Sequence, residues 1–291
     1  METRSLGRSG LLASALGFGA GHLGRVAPEA VGPLLHGVLD LGITLIDTAR
    51  GYGPSEALIG EHLAHRRDAF TLVTKVGYDV EGCTDWTRAA VKQGIDAALR
   101  RLRTDRIDVC LLHSCDLGTL QRGEVIEGLA EAVAAGKVRV PGYSGDNEAL
   151  HWAVTSGHFG VVETSVNVVD QWSLHAVLPT AVAQGVGVIA KRPIANVAWT
   201  FGERPVGAYA EDYWVRLQHM GVTPTSGDWL DAALRFTAFA PGVTTAIAGS
   251  SSLSHLQAMA DVVARGPLED AAAAQWSDAW HAHGQAWPGL V

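Results

Sequence analysis

The chain repeats one two-part pattern: a short apolar run ending at a polar residue, then a longer segment with apolar positions at helical spacing. The clearest runs are Thr44-Leu45-Ile46 before Asp47, Thr71-Leu72-Val73-Thr74 before Lys75, and Ile107-Asp108-Val109-Cys110-Leu111-Leu112 before His113. Short β-branched and aliphatic runs of this kind predict parallel strands buried on both faces. The segments behind them, 54–64, 86–102 and 122–135, predict helices. Further strands are expected at 15–19, 137–143, 161–166, 186–190 and 244–248, with helices at 28–41, 146–155, 173–184, 228–238 and 253–264. Eight such units predict an α/β fold, an eight-stranded parallel (β/α)8 TIM barrel, whose strand-closing polar residues gather at one end. An open doubly wound sheet fits less well. Gly17-Phe18-Gly19-Ala20-Gly21 follows the first strand, but no acidic residue closes a following strand at dinucleotide-fold spacing.

Two segments fall outside this count. Residues 4–11 set Gly7, Ser9 and Gly10 between short apolar stretches, predicting an N-terminal β-hairpin that caps the bottom of the barrel. Residues 196–227, rich in Gly, Pro and aromatics, predict a long loop after strand seven with a helix at 211–220. Long loops at that barrel end commonly bind ligands.

A length of 291 residues and 47 % hydrophobic content suit a single barrel domain over 1–291. The apolar runs are too short and broken for a membrane span. The first ten residues lack the long apolar segment of a secretory signal, so a cytoplasmic location is expected. A net charge of -8 argues against a nucleic-acid partner. The basic runs Arg100-Arg101-Leu102-Arg103 and His65-Arg66-Arg67 read as solvated helix ends. Cys83, Cys110 and Cys115 cannot all pair and lack metal-ligand spacing, so reduced thiols and no bound metal are expected.

Asp47, Tyr52, Lys75 and His113 are each read as closing a strand and therefore as converging. A phenol with a pKa of about 10 is a poor acid at neutral pH, and an adjacent ammonium lowers it. Lys75 would supply that ammonium, Asp47 would keep it charged, Tyr52 would donate the proton, and His113 would polarise a carbonyl oxygen. Singly, each has an ordinary structural reading: loop aromatic, strand-end cation, helix cap and satisfied core histidine. It is the joint pattern that points to catalysis.

The segments Asp47-Thr48-Ala49-Arg50-Gly51-Tyr52-Gly53, Thr74-Lys75-Val76-Gly77 and Leu111-Leu112-His113-Ser114 resemble the catalytic segments of the aldo-keto reductases, and the likeness runs from the hairpin to about Asp261. The resemblance implies NAD(P)(H)-dependent interconversion of a carbonyl and an alcohol by hydride transfer, with the cofactor extended across the barrel mouth. It implies cofactor contacts at Gly19, Ala20, Asp47, Ser144, Glu163, Lys191, Arg192, Pro193, Ile194, Asn196, Gly249, Ser250, Ser251 and His255. Several positions depart from the family pattern. Gly145 replaces an asparagine, Glu163 a glutamine and Lys191 a stacking tyrosine, while His255 and Met259 replace an arginine and an asparagine near the adenosine phosphate. Lys191 and Arg192 are expected to reach a phosphate or solvent. Family prevalence favours NADPH over NADH, although His255 offers only a partial charge.

Candidate substrate-pocket residues are His22, Tyr78, Trp86 and Trp199, joined by Phe201, Tyr209 and Tyr213 from the long loop. An aldehyde, a ketone or a sugar oxidised at carbon one all remain open as substrates. Two other classes stay in view: a non-catalytic nicotinamide-binding regulatory subunit of the same fold, and a metal-dependent barrel hydrolase or lyase. The second lacks an HxH or HExxH motif at any strand end, since His281-Ala282-His283 lies in the C-terminal tail.

Overall fold

Eight parallel strands close on themselves in the computed structural model, which describes residues 1–290. An antiparallel pair, β1 (Thr3–Ser5) and β2 (Leu12–Ser14), precedes the barrel strands β3 (Leu16–Gly19), β4 (Leu45–Asp47), β5 (Thr71–Val76) and β6 (Ile107–His113). The barrel continues through β7 (Val138–Ser144), β8 (Val161–Ser165), β9 (Gly187–Lys191) and β10 (Thr245–Ala248), which pairs with β3 to close the ring. The expected (β/α)8 architecture is present, and closure leaves the barrel itself without an open edge.

The helices are α1 (Pro28–Asp40), α2 (Ser55–Leu63), α3 (Arg88–Leu102), α4 (Leu117–Arg122), α5 (Glu124–Ala134) and α6 (Asn147–Thr155). Then come α7 (Trp172–Ala176), α8 (Leu178–Gln184), α9 (Glu211–Met220), α10 (Trp229–Ala238), α11 (Leu253–Ala264) and α12 (Asp270–His283). Local chemistry sets their ends. Thr87 accepts from the Ala90 amide at the start of α3, and Asp116 and Asp228 cap α4 and α10 in the same way. The helix expected at 122–135 is α5, preceded by the short α4, which ends at Gly123 with φ +83°, whereas the one expected at 173–184 is divided at Val177 into α7 and α8. No helix of the described residues is long and apolar enough to cross a membrane.

Three apolar clusters fill the molecule. The largest lies between barrel and helices, including Phe18, Ile46, Leu72, Leu112 and Val162. A second, inside the barrel, joins Leu45, Val73, Leu111, Val161 and Ile189 to Leu6 and Leu11 of the hairpin. The Arg8 amide donates to the Gly185 carbonyl just before β9, so the hairpin plugs the N-terminal end of the barrel, as its sequence predicts. The third ties the long loop after β9 to α12 through tryptophans, with Trp199 stacked on Trp229 at 5.4 Å and Trp229 tilted onto Trp276 at 5.8 Å.

Candidate active site

Side chains on a strand alternate faces, so a residue two positions beyond an inward-facing one also faces inward. Two residues after Leu45, Val73, Leu111, Val161 and Ile189 of the inner cluster come Asp47, Lys75, His113, Glu163 and Lys191. The barrel lining thus changes from apolar to polar at its C-terminal end. Strand register puts His113 opposite Ser144 and Ser144 opposite Glu163, while Asp47 stands opposite Val73 and Lys75 opposite Leu111. Two sequence expectations need adjustment. Lys75 is the penultimate residue of β5, and Tyr52 lies in the loop after β4, reaching back over the barrel end.

Lys75 is the hub, and it is fully buried. Its Nζ donates to Asp47 Oδ1 at 2.5 Å and Oδ2 at 2.7 Å, to the Thr48 carbonyl at 3.2 Å and to Tyr52 Oη at 3.4 Å. Glu163 Oε2 lies 3.3 Å from the same nitrogen. Burial opposes the ammonium, but the Asp47 and Glu163 carboxylates outweigh it and raise the Lys75 pKa, so the side chain stays charged. Two carboxylates therefore share one cation. Burial and then Glu163 push the Asp47 carboxyl well above its ordinary range, whereas Lys75 and Lys191 overcome burial to hold Glu163 low.

Tyr52 departs from the sequence-based expectation of a lowered pKa. Lys75 is the largest single influence and does pull it down, but burial with Asp47 and Glu163 prevails, and the phenol is pushed up to about 12. His113 stands edge-on to Tyr52, with ring centroids 6.0 Å apart. Burial, followed by the Lys75 charge, pulls His113 down to about 4, leaving a neutral imidazole at neutral pH. Its Nδ1 is 3.1 Å from Tyr78 Oη. With Tyr78 donating there, the ring proton sits on Nε2, available to a group in the cavity.

A cavity of about 920 Å³ opens above these residues and runs across the barrel mouth to α11. This is at the upper end for small-molecule sites. Among the expected residues, Gly19, His22, Asp47, Tyr52, His113, Ser144, Glu163, Lys191, Arg192, Pro193, Ile194, Asn196, Trp199, Gly249, Ser250 and His255 line it, as do Phe201 and Tyr209. Lys75 lies beneath its floor. Ala20, Tyr78, Trp86, Ser251 and Tyr213 do not line it. The Ala20 carbonyl is taken by Ser55 Oγ at 3.1 Å. Tyr78 braces His113 rather than forming a wall. Trp86 lies 5.5 Å from the Tyr78 ring and covers Gly77, whose φ of +135° and missing Cβ admit the indole.

The departures from the family pattern acquire physical reasons. A side chain at Gly145 would collide with the Tyr143 hydroxyl, which donates to the Cys115 carbonyl at 2.7 Å. Lys191 does not extend a free charge toward a phosphate; its Nζ pairs at 2.9 Å with Asp146, whose Oδ1 accepts from Thr164 Oγ1 and the Ser165 amide. Arg192 is likewise committed, donating to the Leu290 carbonyl at 2.8 Å and to Ser165 Oγ at 3.2 Å, with its guanidinium over the Tyr209 ring. Arg192, Ala195, Asn196 and Val197 all adopt positive φ. Four non-glycine residues in that conformation within six positions mark a strained cavity wall.

The cavity suits a nicotinamide dinucleotide. At one end Ser144 Oγ donates to Glu163 Oε1 at 3.2 Å and both residues line the cavity, so a carboxamide would meet a hydroxyl and a carboxylate there. At the other end Gly249, Ser250 and His255 surround the N-terminus of α11, whose first-turn amides suit a phosphate. Sequence reasoning missed Ile247, Leu230 and Ala258 as lining residues, because their apolar side chains look like core. It also missed the roles of Asp146 and Tyr78.

The protein-family model described as the aldo/keto reductase family matches residues 15–281. L-galactose dehydrogenase of Arabidopsis thaliana is 31 % identical over 211 residues, covering 67 % of this chain and 66 % of that protein. L-glyceraldehyde 3-phosphate reductase of Escherichia coli O157:H7 is 32 % identical over 219 residues, covering 67 % and 62 %. The chain thus spans somewhat under two thirds of the length of these two relatives. Among solved structures, the holo form of an aldo-keto reductase from Bacillus halodurans superposes with a TM-score of 0.85 at 27 % identity, covering 96 % of both chains. With the match extending over the whole barrel, the chain belongs to the aldo/keto reductase family.

Proposed function

We propose that this chain reduces a carbonyl compound to an alcohol, and runs the reverse oxidation, with Tyr52 as the proton donor and acceptor. The observation that carries the reading is the Tyr52 hydroxyl held 3.4 Å from a buried, charged Lys75, beside a neutral His113, at the floor of a cavity long enough for a dinucleotide. When bound, the reduced nicotinamide supplies the hydride to the carbonyl carbon. Tyr52 Oη gives its proton to the carbonyl oxygen, and the Lys75 ammonium stabilises the phenolate left behind. His113 Nε2–H hydrogen-bonds the same oxygen and fixes its angle. Asp47 keeps Lys75 charged and oriented, and Tyr78 holds the His113 ring. Aromatic side chains of Trp199, Phe201 and Tyr209 wall the outer cavity, suiting aldehydes, ketones or the apolar face of a sugar.

The pH profile tests this protonation scheme. With His113 neutral above about 4 and Tyr52 protonated below about 12, kcat/KM for reduction is expected to be flat through neutrality. A limb centred near the ordinary histidine value of 6.5 would show that His113 titrates as an exposed ring and would contradict the scheme.

For the cofactor we favour NADPH, with Ser250 and His255 nearest the adenosine phosphate. His255 Nδ1 lies 3.5 Å from Ser250 Oγ. His255→Arg supplies a permanent, bidentate cation, and the NADPH to NADH affinity ratio is expected to rise about tenfold. An unchanged ratio, measured by fluorescence titration, would place the phosphate elsewhere.

A further inference from the structure

Glu163 brings a second carboxylate to a site whose acid chemistry needs only one. Its side chain is buried, with Oε1 accepting from Ser144 and Oε2 3.3 Å from Lys75 Nζ. On the opposite side of Lys75 stands Asp47, and Tyr52 Oη approaches the same nitrogen. The groups facing Tyr52 are Lys75, Asp47, Glu163 and the His113 ring edge. Those facing Glu163 are Lys75, Lys191, His113 and Asp47. Lys191 helps to hold Glu163 low but is itself ion-paired with Asp146, so Lys75 is the cation in direct contact with Glu163. In the buried site one ammonium therefore contacts two carboxyl groups.

We propose that Glu163 is a positioning residue that acts through Lys75, dividing the ammonium's field with Asp47 and weakening its pull on the Tyr52 proton. The phenol then stays protonated over a wider pH range but is a weaker acid, and the phenolate that would abstract a proton from an alcohol is scarcer. A neutral amide of the same shape would return the full charge of Lys75 to Tyr52. This inference rests on the reading of Tyr52 as the proton donor, but its first test does not depend on turnover.

The test compares full-length wild type with Glu163→Gln, each labelled with tyrosine carrying carbon-13 at Cζ and assigned through Tyr52→Phe. At a fixed alkaline pH the ionised fraction of Tyr52 is expected to rise about tenfold in Glu163→Gln, the equivalent of one pKa unit. Glu163→Asp, which restores the charge, should return it toward the wild-type value. An ionised fraction that does not change on loss of the carboxylate overturns the proposal. If Glu163→Gln does not fold, Glu163→Ala removes the same charge and is judged by the same criterion. A kinetic readout follows: kcat/KM for alcohol oxidation at mildly alkaline pH should also rise about tenfold in Glu163→Gln. A tyrosine signal that moves while oxidation is absent from both proteins supports the Glu163 coupling and removes the proton-donor reading instead.

Discussion

Tyr52→Phe will lower kcat for carbonyl reduction by about two to four orders of magnitude while leaving nicotinamide affinity nearly unchanged. The substitution keeps the ring that lies 5.0 Å from Lys75 Nζ and removes only the hydroxyl. No other acid takes its place. His113 is neutral, and its ring centroid lies 6.0 Å from that of Tyr52. Lys75 lies beneath the cavity floor, and its raised pKa makes it a poor donor. Residual turnover would then depend on water as the acid. The loss should fall on kcat more than on KM, because the hydroxyl gives its proton only as the alcohol forms. Stopped-flow rates with a saturating aldehyde check the first part, and fluorescence titration of the cofactor checks the second.

Lys75→Met will destabilise the folded protein by about 3–5 kcal/mol at neutral pH and abolish activity as well. Methionine fills the volume but leaves Asp47 and Glu163 buried with no ammonium between them. Such carboxylates must take up protons on folding, so their folded pKa values rise above the unfolded ones. The sign of the linkage follows. A raised carboxylate pKa adds stability at low pH and loses it as pH rises through the folded value, so the deficit of the variant should shrink on acidification. Urea unfolding of both proteins at neutral and mildly acidic pH measures this directly. A deficit that stays constant with pH would mean that the charges are not coupled in this way.

The barrel was legible in the sequence because its strands are buried on both faces and read as short apolar runs, most of them closed by a polar residue. The inner periodicity of two, from Val73 to Lys75 or Val161 to Glu163, carries the site in the same letters. Tyr52 could be named but not placed, since its distance from Lys75 depends on how the loop after β4 folds back. The sign of its pKa shift was not legible either. It depends on burial and on Glu163, a residue 111 positions away in the chain, which closure of the barrel brings to the same ammonium.

Long-range pairing also hid the fates of Lys191 and Arg192. As letters they are two adjacent cations suited to a phosphate, but Asp146 and the Leu290 carbonyl have claimed them. The helix α12 went unread because its alanine-rich segment, 270–283, follows the last counted unit. Its buried Trp276 and Trp280 acquire their role only by packing with the third apolar cluster. Gly145 reads as a lost asparagine until the Tyr143 hydroxyl is seen to occupy the space a side chain would need.

The most direct test incubates the purified full-length chain with NADPH or NADH and a panel of aldehydes, ketones and aldoses. It follows the reduced-nicotinamide absorbance and analyses the products. The geometry around Tyr52 calls for cofactor oxidation in step with alcohol formation, lost in Tyr52→Phe. Tight nicotinamide binding with no turnover of any panel member would contradict that and leave a cofactor-binding regulator of the same fold.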